Sequence, residues 1–397
     1  MISEDEALQR VLAAVQPGPV IDLPLLDAAG LGVARRLTAR VPLPGFDNSM
    51  VDGYALRATD SAAGRRLPIT GCQPAGADLG LRCGPGEAVR LFTGAPLPAG
   101  ADAVLMQEDA DTSPEGLLCR EPVQPGENVR RAGAELCAGQ VLLEPGDRLI
   151  ASKLGLLASQ GLATVPVHQP PRAAVLSTGD ELRAPGETLA PGQLYNSNAV
   201  MLQALLRGAG LRDTTALHCP DDLDATVTAL DRLATEREVV LISGGVSVGD
   251  HDHVKPALRA LGVATDLWRV RVKPGKPFLF AHQQRGDRHV AFFGLPGNPV
   301  SAFVTFELFV RPALQRLLGL RHEPPLLLPA TSGQDLHNDG DRPHYLRGTL
   351  SDGVFRMRGL QMSHALFGLS QSGALLRLEP GARIAAGERV QVRPLTD

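Results

Sequence analysis

Two proline pairs, Pro170-Pro171 and Pro324-Pro325, divide the 397-residue chain into three stretches of different residue periodicity. Consecutive prolines continue neither a helix nor a central strand, so each pair marks a linker or boundary. From about 37 to 167, short β-rich pieces alternate with turn formers at Pro42, Pro44-Gly45, Gly71, Pro85-Gly86, Pro125-Gly126 and Pro145-Gly146. That spacing predicts strands joined by tight turns. A helix precedes this stretch, with Ser3 and Glu6 as a capping box, Leu8, Val11, Leu12 and Val15 on one face, and Pro17-Gly18 as its stop. A second helical patch covers 150–159. Between the proline pairs, apolar strands (173–177, 239–242, 267–272, 278–281, 290–293) alternate with helical spacing (199–206, 223–234, a short helix from 253 to 262, and about 300–318). Such alternation predicts a mostly parallel sheet covered on both faces. Beyond the second pair, residues 326–397 return to short strands and turns (Asp352-Gly353, Pro380-Gly381, Ala386-Gly387), which predicts a small all-β domain. The expected class is multidomain α/β plus β.

Composition narrows the function. The chain is 44% hydrophobic and 21% charged, as a soluble globular protein is. Its apolar runs fall short of the ~20 residues a membrane helix needs. Glu4, Asp5 and Glu6 stand where a secretory signal carries basic residues, so a cytoplasmic location is expected. A net charge of −4 and few aromatics argue against nucleic acid as a partner. The five cysteines are odd in number and form no C-x-x-C, which implies idle or buried thiols rather than zinc or disulfides.

The chemistry is expected at three loops that each follow a predicted strand: Ser177-Thr-Gly-Asp-Glu181, Ser243-Gly-Gly-Val-Ser-Val-Gly-Asp250 and Gly294-Leu-Pro-Gly-Asn-Pro299. Ligands of open parallel sheets bind at the carboxyl ends of the strands. Glycine lets backbone N–H groups approach an anion, and helix N-termini favour negative charge. Any one such turn needs glycine for its geometry alone; three on one edge favour a phosphate-bearing ligand, with Gly244, Gly245 and Ser247 among its contacts. Carboxylates accompany the loops at Asp180, Glu181, Asp221, Asp222, Asp250 and Asp252, and acids beside a phosphate call for a hard cation such as Mg²⁺. For Asp221-Asp222, simple capping of the next helix competes with that role. For Asp250-His251-Asp252-His253, a solvated turn is preferred to a transition-metal site. In a strand, Arg269, Arg271 and Lys273 share one face, and the turn Lys273-Pro-Gly-Lys276 forms an oxyanion cradle; a solvent-facing strand would look similar. The segments 44–55 and 90–104 are dense in polar turn formers. Asp47-Asn48-Ser49 reads as an Asx-turn, and composition assigns these segments no chemistry.

The motifs together resemble the molybdopterin molybdenumtransferase family. The run Asp47-Asn-Ser-Met-Val-Asp52-Gly-Tyr-Ala is similar to that family's DNSAMDGYA signature, and Thr93-Gly-Ala-Pro-Leu-Pro-Ala-Gly-Ala-Asp-Ala-Val104 to its second signature. The three strand-end loops and Lys273–Pro277 match further blocks in order, so the likeness runs from Ser3 to the C-terminus. Long ordered blocks are far more specific than a lone glycine motif.

The resemblance implies a discontinuous N-terminal part (1–42 with 140–170), an inserted β domain (43–139), a molybdopterin-binding α/β domain (171–322) and a C-terminal β barrel (323–397). It implies a homodimer with the active cleft between subunits. It implies insertion of molybdate into adenylylated molybdopterin with release of AMP, Mg²⁺ as cofactor, and an upstream molybdopterin-adenylating enzyme as partner. Asp52, Thr93, Glu181, Asp221 and Asp252 would be catalytic, the last three holding the metal. Lys273, Lys276, Arg269, Pro296, Pro299, Arg347 and Ser363 would contact substrate or molybdate. Two departures stand out: Ser-Met-Val-Asp replaces Ser-Ala-Met-Asp, sparing the aspartate, and Glu135 stands where the family has Asp. The alternatives are a molybdopterin adenylyltransferase-like enzyme, which would consume ATP, a nucleotide pyrophosphatase, and a non-catalytic scaffold.

Overall fold

The computed structural model describes residues 1–245 and 253–395. The chain forms two compact units, one of Met1–Arg35, Pro145–Ala158 and Leu162–Asp397, the other of Arg36–Glu144 and Ser159–Gly161. Among the described residues no helix is long and apolar enough to cross a membrane.

Helix α1 (Glu4–Ala14) opens the larger unit, and Ser3 caps it by accepting the Glu6 N–H at 3.1 Å. The expected box is half made, because the Glu6 carboxylate turns down the helix to Arg10, 2.6 Å away. Its buried face is Ala7, Val11 and Val15, three residues spaced by four, in place of a face that includes Leu8 and Leu12. Tyr345 ties the helix start to the C-terminal region by donating to Glu4 Oε1 at 2.6 Å. Residues Val20–Pro24 pair antiparallel with Thr164–His168, so both ends of the first 170 residues meet.

The smaller unit is built on strands β1 (Gly53–Leu56), β2 (Ile69–Gln73), β3 (Ala88–Leu91) and β4 (Ala103–Met106), in the order β2-β3-β1-β4. Alternate residues face two separate cores. Ala55, Val89, Leu91 and Val104 bury one face, and Tyr54, Leu56, Ala88 and Leu105 the other. Gly53 is required by close packing, since a Cβ there would lie 2.1 Å from the Leu105 carbonyl oxygen.

In the α/β region, β5 (Ala173–Thr178), α2 (Ser197–Gly208), β6 (Thr214–Cys219), α3 (Leu223–Glu236), β7 (Val239–Ser243) and α4 (Val254–Ala260) come first. They are followed by β8 (Thr265–Arg269), β9 (Pro277–Arg285), β10 (Arg288–Leu295), α5 (Pro299–Thr305) and α6 (Arg311–Leu317). The six strands order as β6-β5-β7-β10-β9-β8; β6, β5, β7 and β10 are parallel, and β9 and β8 extend the sheet antiparallel. Leu176, Ile242 and Phe292 pack under Leu230, Leu233 and Leu258 of α3 and α4. On the other face Phe278 meets Phe309 with ring centroids 4.6 Å apart. Each such fully buried side chain contributes about 1.5–3 kcal/mol.

Two expectations change. The helix expected over 300–318 is interrupted by a π-helical turn, Phe306–Val310, because Pro312 has no N–H to bond to the Leu308 carbonyl. The strand expected over 267–272 leaves the sheet after Arg269; Val270 instead bridges to Ile2, where its buried side chain has a partner. The C-terminal region forms the expected β barrel, closed by β11 (Leu328–Ser332), β12 (His344–Ser351), β13 (Val354–Met357), β14 (Ala374–Leu378) and β15 (Arg389–Pro394) in the order β11-β13-β12-β14-β15. All five thiols are free, and burial pushes that of Cys83 up to about 11.

Candidate active site

Parallel strands deliver three glycine loops to one edge. The register Ser177↔Ser243↔Leu295 sets Thr178, Gly244 and Pro296 in the next row. Gly244 (φ 95°) and Gly245 (φ 61°) hold left-handed backbone, and a Cβ on either would come within 3.0 and 3.1 Å of Thr178 Oγ1. Gly297 of the third loop approaches Gly244 in turn; its Cβ would stand 3.8 Å from the Gly244 Cα. The two predicted residues of the second loop that the structure describes, Gly244 and Gly245, are therefore in the floor of this edge. Ser247, Asp250 and Asp252 lie outside the described residues.

Below this floor runs a buried polar row. Asn198 Nδ2 donates to Ser243 Oγ (2.9 Å) and to the Gly297 carbonyl (2.7 Å), joining two of the loops. Ser177 Oγ donates to Asn196 Oδ1 at 3.3 Å, and the same oxygen caps α2 by accepting the Ala199 N–H at 3.1 Å. Thr178 Oγ1 and Asn198 Oδ1 are buried with no hydrogen-bond partner. Such groups cost free energy unless something completes them. Sequence reasoning missed both asparagines, although Asn immediately before an apolar helical run is a capping signal.

The acids divide by role. Asp222 caps α3, accepting the Ala225 N–H at 2.7 Å, as simple capping requires. Asp180 Oδ1 accepts the Asp221 N–H at 3.2 Å, and His218 Nε2 lies 2.8 Å from the Gly179 carbonyl oxygen, so the loops after β5 and β6 are laced together. Glu181 folds back over Gly179 (φ 145°), where a Cβ would lie 2.5 Å from its Oε2. Glu181 and Asp221 are thus neighbours of the glycine floor and exposed. Among the described residues no three His, Cys, Asp or Glu groups cluster as a metal cage.

Two cations reach the same edge. Lys276 immediately precedes β9, beside β10, and Arg269 ends β8, one strand further out. Strand spacing places Arg269 about 10 Å from the end of β10. Gly275 seats the Lys273–Lys276 turn on α5, since its Cβ would meet Thr305 Cγ2 at 2.6 Å. Arg269, Arg271 and Lys273 are exposed in alternation with buried Val270 and Val272. They do not converge, however: Arg271 Nη2 donates to the Asp341 carbonyl at 3.0 Å. Lys273 pairs through its backbone with the start of β12 (Lys273 N to Pro343 O 2.9 Å, Tyr345 N to Lys273 O 2.8 Å). Pro299 opens α5, and the next N–H, of Val300, donates to the Ser363 carbonyl at 3.0 Å. Arg347 is 1% exposed and spends both terminal nitrogens on the carbonyls of Met362 (3.2 Å) and Leu360.

His344, which sequence reasoning also missed, lies among these cations. Burial first, then the charges of Lys273 and Arg347, push its pKa down to about 4. The unfolded chain therefore takes up the proton first, and stability is lost as pH falls from about 6.5 towards 4. Between pH 7 and pH 5 the wild type is expected to lose about 1–2 kcal/mol more than His344→Gln in urea titrations. Equal losses would remove the assignment.

Asp52 and Thr93 belong to the smaller unit. Asp52 Oδ1 accepts both the Thr93 backbone N–H and its hydroxyl at 2.8 Å. The backbone donor leads the hydroxyl and Arg90 in holding the carboxyl below its ordinary range. Arg90 stacks over Tyr54 (4.7 Å) and Phe92 (5.3 Å). Asp47 makes no local Asx-turn; it reaches across to Ala132 N (2.8 Å) and Arg131 Nη1 (2.6 Å), which offer two donors where a local turn offers one. Glu135 is exposed.

Three family models match in succession: the MoeA N-terminal region (domain I and II) over 2–161, a probable molybdopterin binding domain over 174–316, and the MoeA C-terminal region (domain IV) over 329–395. The chain is 36% identical to molybdopterin molybdenumtransferase 2 of Mycobacterium tuberculosis, over 98% of both chains. It is 34% identical to the molybdopterin molybdenumtransferase of Haemophilus influenzae, over 99% of this chain and 98% of that one. The crystal structure of a molybdopterin biosynthesis MoeA protein from Pyrococcus horikoshii superposes with a TM-score of 0.84 at 28% identity, covering 100% of both. With all three regions matched in order and near-complete coverage, the chain belongs to the molybdopterin molybdenumtransferase family.

Proposed function

We propose that this protein inserts molybdate into adenylylated molybdopterin and releases AMP, in the cytoplasm and downstream of a molybdopterin-adenylating enzyme. The observation that carries the reading is the glycine floor of Thr178, Gly244 and Gly297, with the partnerless Thr178 Oγ1 and Asn198 Oδ1 buried in it and the Lys273–Lys276 turn beside it. Backbone N–H groups and glycine there admit phosphate oxygens closely. Lys273 and Lys276 would draw the tetrahedral dianion by charge, with Arg347 adding to the field. Holding the oxyanion next to the dithiol replaces a rare encounter with a local reaction. Two sulfur–molybdenum bonds form while one oxo group leaves as water with the two thiol protons; water cleaves the phosphoanhydride, releasing AMP.

Magnesium suits the donor set. Glu181 and Asp221 offer exposed hard oxygens on the loops after β5 and β6, and Mg²⁺ is commonly held by one or two carboxylates with phosphates and water. Bound there, it would screen the charge of the phosphoanhydride. Asp252 would join this set and Ser247 the phosphate contacts. A homodimer is part of the proposal, with Asp52 and Thr93 of one subunit serving the α/β edge of its partner. Exposed Phe46 and Met50, near Asp52 in the sequence, and Phe92, next to the Thr93 that bonds Asp52, support an interface there. We also assign the four-part division 1–42 with 140–170, 43–139, 171–322 and 323–397.

Mass spectrometry of adenylylated molybdopterin incubated with protein and molybdate tests the reaction. AMP and a molybdenum-bearing product are expected without ATP. ATP consumption would favour an adenylating enzyme, and an unaltered substrate a scaffold.

A further inference from the structure

Arg347 sits where β12 outruns its neighbour. On one side its backbone pairs with Leu375 of β14. On the other, the pairing with β13 ends at Gly348↔Met357; the Arg347 carbonyl still accepts the Arg358 N–H at 3.0 Å, but the Arg347 N–H faces no strand. The side-chain amide of Gln361 stands in for the missing strand. Its Oε1 accepts the Arg347 N–H at 2.8 Å, and its Nε2 donates to the Arg347 carbonyl at 3.0 Å and to the Arg358 carbonyl at 2.9 Å. The guanidinium of Arg347 grips the same turn from within through the Leu360 and Met362 carbonyls. A glycine pair backs the turn: a Cβ on Gly359 (φ 57°) would lie 2.7 Å from the Gly368 Cα. What emerges from this clamp is Ser363, whose carbonyl receives the Val300 N–H of α5 at 3.0 Å.

We propose that Gln361 is a positioning residue of the oxyanion pocket: its amide completes the edge of β12 and thereby fixes where Ser363 stands beside the first turn of α5. The inference rests on the proposed function for the identity of the oxyanion, but the clamp acts on binding and does not require turnover. Gln361 acts through Ser363 and touches no substrate. Without the amide, the Arg347 N–H loses its partner, its carbonyl keeps only the Arg358 N–H, and the turn loosens, at a cost in affinity for the anion more than in folding, because the turn lies at the surface.

Molybdate alone, titrated calorimetrically into the full-length protein, is the probe. Gln361→Met keeps the length and removes the hydrogen bonds; it is expected to raise the molybdate Kd about tenfold. In a Ser363→Ala background the same substitution is expected to change Kd less than about twofold, because its route is already cut. Gln361→Asn, whose amide is one methylene short, should raise Kd by a smaller factor and serves if the methionine variant does not fold. Unchanged Kd in the single variants, an undiminished effect in the Ser363→Ala background, or no molybdate binding by the wild type would each overturn the proposal. Absence of AMP release by a wild type that binds molybdate through this clamp would overturn the proposed reaction instead.

Discussion

Glu181→Ala is expected to lower molybdate-dependent AMP release by about 10²–10³-fold, the scale set by removing one preorganised electrostatic group from a reacting centre. The carboxylate folds over Gly179 at the end of β5, in the loop laced to Asp221 through Asp180. Alanine leaves that lacing intact, because the bonds at Gly179 and Asp221 do not use the Glu181 side chain. Circular dichroism and oligomeric state should therefore match the wild type, and the dependence of the residual rate on Mg²⁺ should weaken. Unchanged turnover would remove Glu181 from the reaction and the metal from the β5 loop.

The largest effect on stability is expected at Glu307. Its side chain is 5% exposed in the π-helical turn, where it accepts from Arg311 Nε at 2.9 Å and from Arg393 Nη2 at 3.0 Å. Arg311 follows on α6 and Arg393 belongs to β15, so this one carboxylate joins the last helix of the α/β region to the barrel. Glu307→Ala leaves two cations, 15% and 16% exposed, without their shared counter-charge. Breaking a buried pair from one side typically costs about 3–5 kcal/mol, much of it the penalty on the stranded partner. Urea denaturation should show a loss on that scale, with Glu307→Gln, which still accepts hydrogen bonds, losing about half. A loss below about 1 kcal/mol would mean that water reaches both arginines and replaces the acid.

The order of regions, the strand–helix alternation after Pro171 and the three glycine loops were all legible in the chain. Each rests on local chemistry, since apolar periodicity, proline and glycine act within a few residues of themselves. Strand β6 was not legible. It lies at the sheet edge, half solvated, and its Thr-Thr-Ala-Leu-His-Cys run shows no apolar stretch. The π-helical turn was hidden for a related reason: Pro312 signals a fault in the helix but not how the chain repairs it.

Within the site the division follows distance along the chain. Asp222 as a cap, Gly244 and Gly245 as floor, and Ser363 as a candidate came from motif and local pattern. Asn198 across Ser243 and Gly297, His344 among cations, and Arg347 held by a turn at 358–363 did not, because partners 13–99 residues apart are chosen by the packing. The same packing took Arg271 away from the row it was expected to share with Arg269 and Lys273. The amino-acid sequence by itself determined the class of each region and which strand-end positions take left-handed or closely approached backbone, for these follow from torsional freedom and burial pattern. Which polar side chains end without partners, and which charges lie together, only the tertiary structure decided, since those are properties of contacts between segments the chain does not place side by side.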